Sequence, residues 1–455
     1  MTDDALFHGL NSSGDCLALG ERALELIRKI YPICRSITGD GVRETLRHVA
    51  RHVPLEVFEV PSGTAVLDWT VPAEWSIRDA FIADSSGRRI VDFRRHNLHV
   101  MSYSTPVHAR MTLHELRPHL FSLPEHPEWI PYRTSYFRAN WGFCLPHHLL
   151  ESLPDGEYEV LIDSELKPGN LTYAECRVPG TTREEFIVYT HICHPSLCND
   201  NASGIALTTI LAAELARHQP RLSYRFVFAP ATIGAITWLA RNQDRLSLIR
   251  AGLVLGLVGD AAPLTYKRSR RGNTEIDCIA AAVVRDLDPN SRVVDFSPYG
   301  YDERQFCSPG FDLPVGRLTR SPNEAYAEYH TSADNLDLMK PSALAESFLA
   351  AARILARVDS NPRYLSRYPN AEPMLGKRGL HRGISRLTPR DMEYAMLWLL
   401  NQADGSHGLN DVSAVSGLPE STLREAAAML VSAGLIDEVH GAPALDHPAP
   451  EHENR

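Results

Sequence analysis

The chain has 455 residues, 44% of them hydrophobic and 22% charged, with a formal net charge of −10 at pH 7. Such a length and composition suggest two or three globular domains, and the acidic balance argues against bulk binding to nucleic acid or an anionic membrane. The longest apolar run, AGLVLGLVG at 251–259, is too short to span a bilayer.

The opening MTDDALFHGLNSSGDC shows neither the basic nor the apolar segment of a secretory signal. A cytoplasmic location is expected, with the eight scattered cysteines as thiols rather than a disulfide framework. Residues 19–30 and 41–53 carry apolar side chains at helical spacing, and PLEVFEVP at 54–61 alternates as a strand does. Between about 60 and 165 prolines are frequent and four of the six tryptophans gather (Trp69, Trp75, Trp129, Trp141). Short strand-like pieces there indicate an inserted β-rich domain, 61–165. EFIVYTH then reads as a buried central strand. SGIALTTILAAELARH (203–218) reads as a helix, YRFVFAP (224–230) as a strand, TIGAITWLARN (232–242) as a helix and 251–259 as a buried strand. This alternation predicts an α/β domain, a mostly parallel sheet flanked by helices, assembled from 1–60 and 166–365. A long helix at 341–361 closes it. Three helical pieces with helix-turn-helix rhythm follow in a module at 375–440, and a Pro- and charge-rich tail at 441–455 is expected to be disordered.

Chemistry concentrates in THICHPSLCNDNASGIA, 190–206. His191 stands at the carboxyl end of a predicted strand, where open α/β sheets place their ligands. Asp200 lies in the loop before the next helix. Imidazole and carboxylate are a typical zinc donor mixture, although a polar helix N-cap would explain the same loop. EYHTSADNLD (328–337) places His330 in a second loop ahead of a long helix.

With YDERQF (301–306), these segments resemble the co-catalytic zinc aminopeptidases of the M28 type. The resemblance implies His191 as the first metal histidine, Asp200 as the bridging carboxylate, His330 as the last histidine and Asp302 as the match in the family's Ser-Asp segment. YPICRSITGDGVRETL, TIGAITWL, KRSRRGNTEID and DERQFCSPGFDLPVGRL look like a narrower branch of aminopeptidase-like proteins. That branch carries an inserted β-rich domain and a C-terminal winged-helix domain, and is found beside sugar and natural-product biosynthesis functions.

The sequence departs from the family pattern at three places. Cys193 replaces the Asp that orients the first histidine. The Glu-Glu pair that supplies the general base falls on Ala231 and Thr232, and the later Asp ligand falls near Gly256. His191, Asp200 and His330 remain, which implies one open zinc site with one Zn²⁺ per chain. His194, Cys193, Cys198, Asp260, Glu303 and Glu328 are nearby donors, and thiolates at 193 and 198 would close the site into a structural one. Glu303 and Glu328 are the carboxylates to test as a replacement acid/base. Arg270 and Arg271 in KRSRRG, with Asp302 and Tyr329, are candidate substrate contacts, though a solvated loop would explain the arginines equally well.

The expected activity is that of a zinc-dependent aminopeptidase-like hydrolase, cleaving an amide bond in a small peptide-like or aminoacylated metabolite. Deacylation of a sugar or natural-product intermediate is the alternative, and a non-catalytic metal- or ligand-binding module lies outside the enzyme class. The expected partner is a small-molecule or short peptide-like substrate, without nucleic acid or membrane. Self-association into a homo-oligomer stays open.

From Leu375 onward there are 7 Lys/Arg against 11 Asp/Glu, a net of −4. Duplex binding requires phosphate neutralisation that this module cannot supply. The full chain is therefore expected not to shift a duplex in a mobility assay at sub-micromolar protein. A salt-sensitive shift abolished by deleting 375–455 would refute this.

Overall fold

The computed structural model describes residues 13–380 and 389–439. Its centre is an eight-stranded sheet in the order Glu56–Pro61, Asn170–Val178, Ser223–Ala229, Glu185–His191, Ile249–Leu255, Val315–Thr319, Thr265–Lys267, Arg292–Val294. The four strands from Ser223–Ala229 to Val315–Thr319 run parallel, and antiparallel pairings flank them. All seven residues of Glu185–His191 are buried. The strand can be buried along its whole length because both faces of the sheet are covered. On one face lie helices Ser13–Ile30, Gly204–Leu215, Glu275–Leu287 and Pro341–Asp359, packed around Phe186, Val188, Phe226, Leu253 and Leu355. On the other, Tyr189, Val227, Val254 and Val315 meet helix Ile233–Arg241, Trp75, Tyr301 and Phe306.

A second, four-stranded antiparallel sheet, ordered Arg89–Asp92, Glu74–Ala83, Glu157–Lys167, Val107–Thr112, has its own core around Ile82, Val91, Leu116, Phe143 and Val160. It is tied back to the larger body. The Trp75 ring sits in the main core and its Nε1 donates to the Ser104 carbonyl at 2.9 Å. Pro131 forms an isolated bridge with Thr331, which lays the 130–136 segment across the His330 loop.

The C-terminal winged-helix domain has a three-stranded sheet with Arg363–Ser366 between Asp404–Gly408 and Ile436–Glu438. Helices Pro389–Gln402, Leu409–Ser416 and Glu420–Ser432 pack around Leu399, Leu409, Leu423 and Leu430. Its central strand lies upstream of the start expected at 375, because the first strand of this module follows directly on the long closing helix. The tail expected at 441–455 lies outside the described residues. No helix among the described residues is long and apolar enough to cross a membrane.

Buried charge is paired inside the main sheet. Arg225 Nε and Nη2 donate to Glu185 at 2.9 and 3.0 Å, while Nη1 donates to Glu175. Glu175 also accepts from Trp238 Nε1 at 2.7 Å, and Arg225 is only 2% exposed. Removing one partner of such a network strands charge in the interior. Arg225→Met is expected to lower stability by about 3–5 kcal/mol, read as a reduced denaturant midpoint. An unchanged midpoint would show that Arg245, which also reaches Glu185 at 2.9 Å, suffices.

Candidate metal and hydrolytic site

The end of strand Glu185–His191 delivers His191, and the chain then turns through Ser196 (φ 44°) into 198–203. This brings Asp200 back beneath His191. His191 Nε2 lies 2.8 Å from Asp200 Oδ1, and His330 Nε2 lies 2.9 Å from Oδ2. His194 Nε2 approaches the same Oδ2 at 3.9 Å. Ligand atoms of His191, His194 and Asp200 all fall within 4.8 Å of one another. His191 and Asp200 are completely buried, while the His330 side chain is 33% exposed.

The Asp200 loop is held from below. Both oxygens of Asp334 accept backbone N–H groups, from Asn199 at 2.6 Å and Asp200 at 2.9 Å. Asp260 accepts from Asn199 Nδ2 at 2.6 Å and from Ala262 N at 2.7 Å, so it supports the loop rather than joining the cluster. Burial alone would raise the Asp200 pKa. The His194, His191 and His330 imidazoles outweigh that and hold it well below the usual carboxylate range. Burial pushes His194 down to about 3 despite Asp200, which keeps its ring neutral, the form a metal requires. Two imidazoles and a carboxylate, buried and convergent, fit a zinc ion.

The three departures from the family pattern have structural counterparts. Cys193 does not orient His191. Its Sγ lies 3.6 Å from His194 Nδ1 and accepts the Ala231 N–H at 3.3 Å, while Asn201 Nδ2 stands 3.2 Å from His191 Nδ1. Burial raises the Cys193 thiol to about 12, so it is no ready thiolate, and Cys198 is packed in the helical core. At Gly256 a Cβ would fall 3.0 Å from Asn201 Oδ1, so the Asn201 amide crowds the position of the later Asp ligand. The Ala231–Thr232 loop receives a carboxylate from elsewhere. Thr232 N (φ 59°) donates to Asp302 Oδ1 at 2.7 Å, and Asp302 Oδ2 has no hydrogen-bond partner. Burial raises Asp302 to about 6, against the attraction of His191.

The other candidates are placed differently. Glu303 is fully buried and paired with Lys267 Nζ at 2.9 Å, a structural commitment that corrects its reading as the acid/base. Glu328 enters through its carbonyl, which accepts from Thr331 N and Oγ1. Among the described residues no hydrogen bond or ion pair takes its carboxylate to the cluster. Arg270 and Arg271 both pair with Asp312 at 2.9 Å on an exposed surface, where the loop turns them away from the buried side. Tyr329 stacks on His330 at 3.9 Å. Sequence reasoning missed Tyr132, whose ring stands 5.1 Å from His330 and 5.3 Å from His194, and Tyr301, stacked on His191 at 4.5 Å. It named His194 only as a nearby donor.

Fold and site together define an aminopeptidase-like protein. Residues 24–361 match the model of a domain of unknown function (DUF4910), and 363–438 match a winged helix-turn-helix; the chain belongs to the DUF4910 family. A relative from Clostridium acetobutylicum is 48% identical over 419 residues, covering 92% of this chain and 96% of the relative. It is described as a candidate polysaccharide biosynthesis protein with an aminopeptidase-like domain. The crystal structure of a candidate peptidase from Clostridium acetobutylicum superposes with a TM-score of 0.80 at 46% identity, covering 94% of this chain and 98% of that one. A zinc aminopeptidase from Bacillus subtilis shares the fold at a TM-score of 0.54 and 12% identity, over 73% of this chain and 93% of that one.

Purified protein loaded with zinc and dialysed is expected to keep one ion per chain by elemental analysis. His194→Ala and Asp200→Ala should each lose it. Two ions per chain, or full retention by both variants, would contradict the reading of the cluster.

Proposed function

We propose that the protein is a zinc-dependent, aminopeptidase-like hydrolase that cleaves an amide bond in a small peptide-like or aminoacylated metabolite. The observation that carries this reading is the buried convergence of His191, His194 and Asp200 with the unpartnered oxygen of Asp302 beside them. His191, His194 and Asp200 would hold the ion, with His330 against Asp200 Oδ2. When bound, zinc supplies Lewis-acid polarisation of the carbonyl and lowers the pKa of water.

The chain's own residues account for the rest of the chemistry. Asp302 is the carboxylate that meets the loop lacking the Glu-Glu pair, and its Oδ1 is fixed by Thr232 N. Oδ2 is therefore the atom placed to take a proton from water and return it to the leaving amine. A carboxyl raised to about 6 by burial suits that exchange near neutral pH better than an ordinary one. Burial holds the Tyr132 phenol protonated far above its usual range, so its hydroxyl stays available as a donor to a substrate and shares a 2.8 Å hydrogen bond with the Tyr136 hydroxyl. Tyr301 and Tyr329 wall the cluster, stacked on His191 and His330.

The relative's description favours a second reading, in which the amide belongs to an acylated amino sugar. The two readings share the site and differ only in the acyl acceptor.

Generic aminoacyl anilides are expected to turn over poorly, because Ala231 stands where the usual glutamate would act. Asp302→Asn should lower kcat on the natural substrate about 10²–10⁴-fold with metal content unchanged. If Asp302→Asn keeps full activity while His191→Ala abolishes it, Asp302 is not the proton carrier. Rates on anilides usual for zinc aminopeptidases would show that Asp302 replaces the glutamate for generic substrates too.

A further inference from the structure

The structure also contains a group of buried charges that the hydrolytic site does not use. Lys267 and Arg317 are directly opposite one another on neighbouring antiparallel strands, and both are buried, at 6% and 3% exposure. Like charges in directly opposed positions repel, so the pair calls for compensation. One carboxylate supplies part of it. Glu303 Oε1 accepts from Lys267 Nζ at 2.9 Å, and Lys267 donates also to the Tyr299 carbonyl at 2.6 Å. Arg317 has no such partner. Its Nε makes no hydrogen bond, and among the described residues no carboxylate lies within ion-pair distance of its guanidinium. Its guanidinium instead lies over the Tyr301 ring, whose centre is 4.7 Å from Cζ.

The heads of these residues converge. A Cβ on Gly300 (φ +121°) would lie 2.9 Å from Arg317 Nη1, 3.3 Å from Glu303 Oε1 and 3.5 Å from Lys267 Nζ. A glycine at 300 thus lets the loop close directly over the point where two cations and one anion meet, where a side chain would strike the Arg317 guanidinium. Its neighbour Tyr299 is 61% exposed, so the covering loop borders solvent. Tyr301 joins this group to the metal cluster, because the same ring stacks on His191 at 4.5 Å.

We propose that Lys267 and Arg317 form an anion subsite that receives a carboxylate of the substrate, held across the Tyr301 ring from the scissile amide. Two cations against one ionised glutamate leave a single positive charge, which matches a monoanionic carboxylate better than a phosphate dianion. The planar guanidinium can donate two parallel hydrogen bonds to such a group. Burying an unpaired guanidinium is costly, and the incoming carboxylate removes that cost. The substrate class narrows to carboxylate-bearing metabolites, such as an acidic sugar or an acidic aminoacyl compound. The assignment to substrate rests on the hydrolytic reading; binding of the carboxylate itself does not.

The test is calorimetric titration of the full-length protein with D-glucuronate, with glucose as the neutral control and inorganic phosphate as the competing anion. Saturable binding of glucuronate, with none of glucose and weaker binding of phosphate, is expected. Arg317→Lys should weaken it at least about tenfold, the worth of one charge-assisted hydrogen bond, and Arg317→Met and Lys267→Met should abolish it. Metal-free Asp200→Ala should still bind glucuronate, which separates this subsite from direct ligation of an ion. Because Arg317 lacks a partner, Arg317→Met should unfold no earlier than the unliganded native protein. Should it fail to fold, Arg317→Lys carries the comparison. Glucuronate binding no better than glucose, native-like binding by Arg317→Lys, phosphate preferred over glucuronate, or loss of binding in Asp200→Ala would each overturn the proposal. Loss of amide hydrolysis with glucuronate binding intact would instead overturn the hydrolytic reading alone.

Discussion

A buried carboxylate with both oxygens occupied by different imidazoles organises this protein. Asp200 meets His191 through Oδ1 and His330 through Oδ2, and its backbone N–H is taken by Asp334. An ionised carboxylate with no exposure is tolerable only when such partners surround it. The partners come from the strand Glu185–His191 and from the 328–335 loop, so satisfying one side chain requires the central sheet and the closing loop to be in place together. The backbone pays for the convergence. Ser196, Thr232, Leu257 and His330 all adopt positive φ, a conformation costly for residues with a Cβ, and they all border the cluster or its supporting loops.

The departures from the zinc aminopeptidase pattern form a connected set rather than scattered losses. Ala231 and Cys193, two of the substituted positions, touch each other through the Ala231 N–H and the thiol. Thr232, the next residue, uses its N–H to hold Asp302. Gly256 makes way for Asn201, whose Oδ1 accepts Leu257 N at 3.2 Å and whose Nδ2 reaches Thr190 and the His191 carbonyl. Each acid missing from the pattern has its place taken by a hydrogen-bonded neighbour. The carboxylate that meets the Ala231–Thr232 loop is Asp302, held through Oδ1 with its Oδ2 left without a hydrogen-bond partner.

Strands and helices of the main domain were legible because their signals are local. The β-branched run ending at His191 and the apolar helix before 218 became Glu185–His191 and Gly204–Leu215. His191, Asp200 and His330 were legible as a set through motif order, and the structure does bring them together. What escaped the sequence depends on turns and register. His194 joins the cluster only because the chain doubles back through Ser196. In KRSRRG the outer arginines meet Asp312, whereas Lys267, the first residue, ends a three-residue strand and turns inward. No periodicity marks so short a strand. Glu303 and Asp302 are adjacent in sequence, yet one is tied to Lys267 and the other accepts from Thr232 N, a division set by the short helix Glu303–Phe306 that begins between them.

The inserted domain belongs to the site as well as to the fold. Its 130–136 segment donates Tyr132 N to the His330 carbonyl at 2.7 Å, and Ile130 exchanges hydrogen bonds with Ser332. His330 holds its positive φ in a loop pinned by that segment, and the Tyr132 ring then stands against both His194 and His330. Removing the insertion would therefore expose the half-buried histidine and free its loop. It follows that the insertion and the Asp200 cluster are one structural unit. The winged-helix domain is joined differently, through ion pairs of Arg363 with Glu184 and of Glu438 with Arg221. Those pairs lie at the opposite end of the strand that carries His191, since Glu184 precedes Glu185 at its start. The insertion shapes the chemistry at the carboxyl end of the strand, and the winged helix anchors its beginning.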